Sequence, residues 1–487
     1  MPSLPIEKRG WTRRWGDLLL GPHARREAPW IVGGTLVLLA AEVAAVLLSG
    51  WMGPVLPLGA AALVLFLGLC WLSLPAAWLL TMAAVPFSIE MVVPGTSSAL
   101  WVPTEPLIFA FLSVWAVKAL LHGVHTLPRS PVIVAVFLLL LVATLSSLQS
   151  LYPVLSAKAL ANSGWYLAFA FLFPLLRGET FLRRATWVLG GSAFAFAVYG
   201  LLFIARTGMA RWTGNAMGRP FFPEHGTYSA FLSFGLAVVL GLALSARRPL
   251  ARWVGFAAAG TVALAIVLSL ARAAYLGLGG LVIVFLWYLL RSRRSRSALL
   301  LVASLGIVGF GVAKFRAGEF VSLYASSITQ PGELSNLERI SRWLVAVNMV
   351  RDRPILGVGY GTYQTSYYSY RVLTLHTKER FRLMGVHSEY FEALSEMGWL
   401  GFAALLGLIL TVARKANQVI RRADDPHDRT LALAALAGLA SYLVHGVFNN
   451  YSGMDKLDMP FWLLVAVIAV LGMRLVPRAP EAARPTA

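Results

Sequence analysis

Cysteine is nearly absent from this 487-residue chain: Cys70 stands alone. A single thiol excludes an internal disulfide and any zinc or redox centre built from several cysteines. Acidic residues are also few, 22 Asp+Glu against 42 Lys+Arg, for a net charge of +20. Charged residues make up 13% of the chain, about half of the roughly 25% usual in a soluble domain. That is too little charge to cover a water-soluble surface of this size, so the soluble-enzyme and disordered classes are excluded. There is no His-Glu-x-x-His and no Gly-x-Ser-x-Gly. The sequence thus offers no metal or cofactor motif, and none is expected.

Hydrophobic residues are what the chain has, at 58% with a mean hydropathy of +0.70. Apolar runs at 31–50, 54–71, 73–93, 106–121, 132–149, 159–176, 185–205, 227–245, 253–269, 273–290, 298–314, 389–413, 430–447 and 460–475 are long enough for membrane helices. The fold class is therefore all-α and polytopic, with about 12–14 transmembrane helices. Cys70 lies in one of these runs and reads as an inert core residue. Residues 1–30 form a basic segment before the first helix, 31–314 hold helices 1–11, 315–388 a long loop, 389–475 helices 12–14, and 476–487 a tail. The first run is too long for a signal-peptide core and lacks a clear small-residue cleavage site.

The positive charge first suggests nucleic acid, but its placement suggests a lipid bilayer instead. With the N-terminus in the cytoplasm and sides alternating, 26 of the 42 basic residues fall inside and 16 outside. The short Arg-rich connections, such as 291–296 and 414–422, share the inner side. Both termini are then cytoplasmic, and no nucleic-acid partner is expected.

The loop 315–388 is far longer than an ordinary connection and lies outside. Ser335-Asn-Leu-Glu338 has the form of a capping box, and Leu337, Ile340, Trp343, Leu344 and Val347 recur at helical spacing. An amphipathic helix is expected over 336–351, stopped by Pro354. Gly357-Val-Gly359-Tyr-Gly361 lacks the Lys-Ser/Thr of a phosphate loop and reads as a tight turn.

Ionisable residues at the membrane surface are the candidates for chemistry. Arg272 stands in Ser269-Leu-Ala-Arg272-Ala-Ala-Tyr275-Leu-Gly277, between two apolar runs at the outer face. Its guanidinium can offer several donors to a diphosphate; a snorkelling arginine at a helix end is the plainer reading. His387 opens the return into the membrane and can accept a proton near neutral pH, or simply sit at a helix start. Arg211, Arg339 and Arg342 can add positive charge to the same cavity, or form a solvated face. Glu224-His225 reads as a loop detail before an acid–base pair, and Glu392 and Glu396 as outer-interface carboxylates. Tyr363, Tyr367, Tyr368 and Tyr370 can stack on sugar rings or form an interface belt.

Three blocks together resemble the O-antigen ligase and O-antigen polymerase superfamily of bacterial inner membranes. They are Ser269-Leu-Ala-Arg272-Ala-Ala-Tyr-Leu-Gly277; Arg339-Ile-Ser-Arg342-Trp343 with Asp352-Arg-Pro354-Ile-Leu-Gly-Val-Gly-Tyr-Gly361; and His387-Ser-Glu-Tyr390 with Glu396-Met-Gly-Trp-Leu-Gly401. The resemblance covers roughly 269–401. It implies a GT-C-like, metal-independent membrane glycosyltransferase acting at the periplasmic face. The donor would be a glycan on undecaprenyl diphosphate, and the acceptor the lipid A core or another surface glycan. Carried over, Arg272 and Arg211 bind the diphosphate, with Arg339 supporting. Arg342 and Tyr275 lie in the same blocks as candidate substrate contacts, and His387 serves as base or orients the acceptor. Phe222-Pro-Glu224-His225 departs from an Asn-Pro-Asn found in many members, and Ser388 from a frequent Asn. Two other functions stay open: a polymerase joining lipid-linked repeats, and a lipid-linked oligosaccharide transporter. The scarcity of charge within most spans counts against transport.

Overall fold

The computed structural model describes residues 52–92, 99–123, 126–208, 211–290, 292, 297, 334–371 and 385–475. The expected spans 31–50 and 298–314, the tail 476–487 and much of the long loop lie outside the described residues. Among the described residues, nine helices are long and apolar enough to cross a membrane. The protein is an all-α polytopic membrane protein. It divides into two compact units.

The first unit comprises residues up to 127 with 183–188 and 220–222. It holds α1 (Met52–Leu72), α2 (Leu74–Ala84), a short hairpin of β1 (Ile89–Val92) and β2 (Ala99–Val102), and α3 (Thr104–His122). The hairpin is antiparallel, pairing Ile89 with Val102, and was not anticipated from the apolar runs. Phe66, Leu69 and Cys70 of α1, Trp78 of α2 and Phe111 of α3 are fully buried, so Cys70 is a core residue as expected. The Lys118 ammonium donates to the Trp71 carbonyl, which gives a charge on an apolar helix a partner.

The second unit holds α4 (Pro131–Leu148), α5 (Pro153–Arg177), α6 (Glu179–Thr207) except 183–188, α7 (Arg211–Ala216), α8 (His225–Ser245), α9 (Pro249–Leu268), α10 (Arg272–Leu289), α11 (Leu334–Asp352), α12 (Glu389–Arg422), α13 (Pro426–His445) and α14 (Asp455–Arg474). Proline at the first turn opens α4, α5, α9 and α13, where its missing N–H has no helical partner to lose. α8 and α14 are interior helices, 83% buried over their spans, whereas α9 and α10 are 22% buried. The apolar faces left open, with Val134, Leu141, Trp253 and Leu264 among them, suit lipid rather than water. Small residues let the interior helices close up: a Cβ on Gly241 of α8 would lie 2.5 Å from that of Ala434 on α13.

The amphipathic helix forms as α11, one or two residues longer at each end than expected. Its buried face differs from the expected stripe. Val345, Ala346 and Met349 pack with Val358, Tyr363, Tyr367 and Val386, while Leu344 stays 43% exposed. α11 carries apolar residues on two adjoining faces, and periodicity alone could not say which one meets the core.

After α11, the chain from Pro354 to Gly361 plugs into a break in α12. Gly398 leaves helical geometry there (φ 63°, ψ −163°). Trp399 and Leu400 donate instead to the carbonyls of Pro354 and Ile355, and Val358 and Gly359 donate to those of Ser395 and Glu396. The glycines expected to turn do so: Gly357 has φ 67°, and a Cβ there would lie 2.3 Å from the Glu396 carbonyl carbon. The Glu396 carboxylate completes the joint, accepting from the N–H groups of Gly361 (2.7 Å) and Tyr363 (2.9 Å).

Candidate functional site

Arg272 is the first residue of α10, and His225 the first of α8. His387 stands two residues before α12, and Arg339 and Arg342 lie on the first half of α11. The Pro354–Gly361 plug fixes the end of α11 against α12, and the α13–α14 connection closes in from another side. There Glu389, the first residue of α12, accepts from the Tyr442 hydroxyl, the N–H groups of Tyr451 and Ser452, and the Ser452 hydroxyl.

These elements bring the cations together. Arg272 lies within electrostatic reach of both His225 and Arg339, and Arg339 also of Arg342, Glu224 and Tyr451. Burial, then Arg272 and Arg342, hold the Arg339 guanidinium below its ordinary range. Burial lowers His387 most, with Arg342 and Arg339 adding to it, and Asn449 opposes them by a hydrogen bond; the result is about 4. The imidazole is therefore neutral at pH 7 and able to accept a proton. Several like charges thus lie near one another, with Glu224 the acidic partner near Arg339, an arrangement whose field favours an anion. The N-termini of α8 and α10 add partial positive charge there.

Arg272, Arg339, Arg342 and His387 thus converge through Arg339 and Arg342. Arg342 is 6% exposed and donates to the Gly385 carbonyl, so it also braces the segment before His387. Tyr275 donates its hydroxyl to the Val267 carbonyl (2.7 Å), spanning the break between α9 and α10 and leaving its ring face to the outside. Arg211 begins α7, and its side chain lies outside those described. Glu224 and His225, read as a loop detail, stand in the cluster.

Two expectations change. Glu392 and Glu396 are not interface carboxylates: Glu396 is 5% exposed and holds the α12 joint, and Glu392 accepts from Asn450 (2.9 Å). Their partners, backbone N–H groups for Glu396 and the Asn450 amide for Glu392, come from far along the chain, so spacing could not reveal them. Tyr363 and Tyr367 are 1% and 6% exposed and cannot stack on a sugar; the Tyr363 hydroxyl donates to the Arg342 carbonyl.

The sequence reading missed the α13–α14 connection. Asn450 Oδ1 accepts the His387 backbone N–H (3.1 Å), Asn449 bonds the His387 side chain, and His445 lies against Tyr451 with a 2.7 Å hydrogen bond. The signal was an Asn449-Asn450-Tyr451 run between two apolar segments, on the same side as His387 by alternation. At the other end of the helices, Glu179, Asp425 and Asp428 form the one acidic group among the described residues close enough to hold a metal. Arg474 already pairs with Glu179 and Asp428 there.

Taken together, these features define a multi-pass membrane protein with a cluster of cationic side chains where several helices begin. Residues 258–406, from within α9 to within α12, match the family described as O-antigen ligase. The match takes in all three blocks and supports the O-antigen ligase superfamily, of ligase or polymerase type. Comparison with curated proteins finds no match.

Proposed function

We propose that the protein transfers a glycan from undecaprenyl diphosphate to an acceptor hydroxyl, on the lipid A core or another surface glycan, at the periplasmic face of the bacterial inner membrane. What supports this is His387, a neutral base beside the Arg342 and Arg339 guanidiniums, with Arg272 in turn near Arg339. The lateral placement of basic loops supports cytoplasmic termini and a periplasmic site.

Arg272 and Arg339, with Arg211 on α7, hold the diphosphate. The acceptor oxygen attacks the anomeric carbon as the bond from that carbon to the diphosphate oxygen breaks. The electron pair leaves on the diphosphate, where the arginines neutralise it. The acceptor proton passes to His387, whose second neighbour Asn449 helps orient the ring. Arg342 holds the His387 segment in place, and Tyr275 keeps the α9–α10 break in shape for Arg272. Attack from the face opposite the leaving group inverts the anomeric carbon.

The test is transfer by the purified chain in detergent, with lipid-diphosphate-linked glycan and a candidate acceptor. Covalent product with inverted linkage supports the reading; binding without transfer turns it toward transport. A deletion strain separates ligase from polymerase, by accumulating long lipid-linked chains in the first case and single repeats in the second.

A further inference from the structure

A second concavity in the same unit lies apart from the cationic cluster. Its volume is about 610 Å³, within the range of small-molecule sites, and it is open to the outside. Three pieces of chain meet around it: the α4–α5 turn with Tyr152, the last turn of α11 with Asn348, Arg351 and Asp352, and the segment from Ser366 to Tyr370. These pieces are tied together. Arg353 donates to the Gln149 carbonyl (3.2 Å), Asn348 to the Tyr370 carbonyl (3.3 Å), and the Tyr370 hydroxyl to Asp352 (2.5 Å).

The lining has the chemistry of a sugar site. Two tyrosine rings offer apolar faces with polar edges, and an amide, a guanidinium, a carboxylate and serine hydroxyls offer both donors and acceptors. The lining carries one cation, Arg351, and one anion, Asp352, which also meets Arg353 (3.9 Å), so the groove holds little excess charge for a phosphate. Its wall mixes these polar groups with the apolar surface of Leu151 and the tyrosine rings. Ser366, 2% exposed, lies in the wall, and its buried hydroxyl has no hydrogen-bond partner among the described residues.

We propose that this groove binds an oligosaccharide. The inference rests on the glycosyltransferase reading above, since α11 links the two places. Arg339 and Arg351 are twelve positions apart on one helix, about 18 Å along its axis. A glycan whose diphosphate is held at Arg339 runs along α11 and reaches the groove some sugar rings away from the reacting carbon. The acceptor glycan has the same chemistry and can enter the same groove.

The experiment uses the full chain in detergent and, as probe, oligosaccharide released from the host's lipid-linked glycan pool, free of lipid and diphosphate. Binding is followed by saturation-transfer NMR. Asn348→Ala, and Ser369→Trp at an exposed position that fills the groove without touching the core, each weaken binding at least about tenfold. Arg272→Ala binds the free oligosaccharide as wild type does. Absence of binding by wild type, or equal binding by both groove variants, overturns the proposal. In transfer assays a raised KM for the donor assigns the groove to the donor glycan, and a raised KM for the acceptor assigns it to the acceptor. A lowered kcat with both KM values unchanged overturns it. If Arg272→Ala and His387→Ala retain transfer while the groove variants lose oligosaccharide binding, the groove stands and the reading of the catalytic cluster fails.

Discussion

Leu270 and His387 share an unusual backbone: both adopt left-handed geometry, φ 56° and 54°, the two non-glycine residues to do so among those described. One lies two positions before Arg272, and the other is the base in the reading above. Each such residue costs on the order of 1–3 kcal/mol and persists only where its surroundings over-determine it. At His387 the holding contacts are visible: its N–H reaches Asn450, and the next helix begins with Glu389 donating to the Gly446 carbonyl. Strain at both places fits a site held in position before its substrate arrives.

Arg272→Ala and His387→Ala each remove transfer while leaving membrane insertion intact. Loss of a proton acceptor costs roughly a hundred- to ten-thousandfold, and loss of a leaving-group donor about a hundredfold or more. Single-turnover transfer with saturating donor, alongside a thermal melt, checks both. Full transfer in either variant removes that residue from the mechanism.

The pH profile follows from His387. Its imidazole loses its proton well below the ordinary 6.5, at about 4, because it is buried beside Arg342 and Arg339. The acid limb of kcat/KM, which reports the free enzyme, therefore lies near pH 4. Positive neighbours disfavour the protonated ring, so Arg339→Gln moves that limb upward, toward 6.5. A limb that stays in place in this variant assigns it to another group.

The α12 joint is a stability element. Glu396→Ala strands the N–H groups of Gly361 and Tyr363, each costing about 1–3 kcal/mol when buried without a partner. Gly357→Ala forces a Cβ into the Glu396 carbonyl and a left-handed φ on alanine. Both variants melt earlier than wild type, and Glu396→Gln, which keeps an acceptor, falls between.

Asn450→Ala removes the acceptor of the His387 N–H and the donor to Glu392. Transfer falls about tenfold or more through lower kcat, as the ring drifts from the acceptor. The KM for donor changes little, because the arginines are untouched.

Transfer persists in EDTA. The leaving diphosphate is neutralised by guanidiniums, which need no divalent ion to do so. A strict requirement for added Mg²⁺ or Mn²⁺ overturns this part of the mechanism.

Much of the architecture was legible because membrane physics writes it into composition. Twenty apolar residues can only span or hide, and Lys and Arg favour one side. So the helices, the return at His387 and the amphipathic α11 follow from the sequence, as do Arg272, Arg339 and His387 as candidates. Which face of α11 is buried did not follow, because its two apolar faces look alike along the chain. Nor did the role of Glu396: its partners, Gly361 and Tyr363, sit more than thirty positions upstream. Asn449 and Asn450 stayed hidden for the same reason, some sixty residues from the histidine they hold. Sequence determined which segments enter the bilayer and which charges stand at their ends. Only tertiary structure decided which of those ends meet, because hydrogen bonds and burial join residues by distance in space and not by position in the chain.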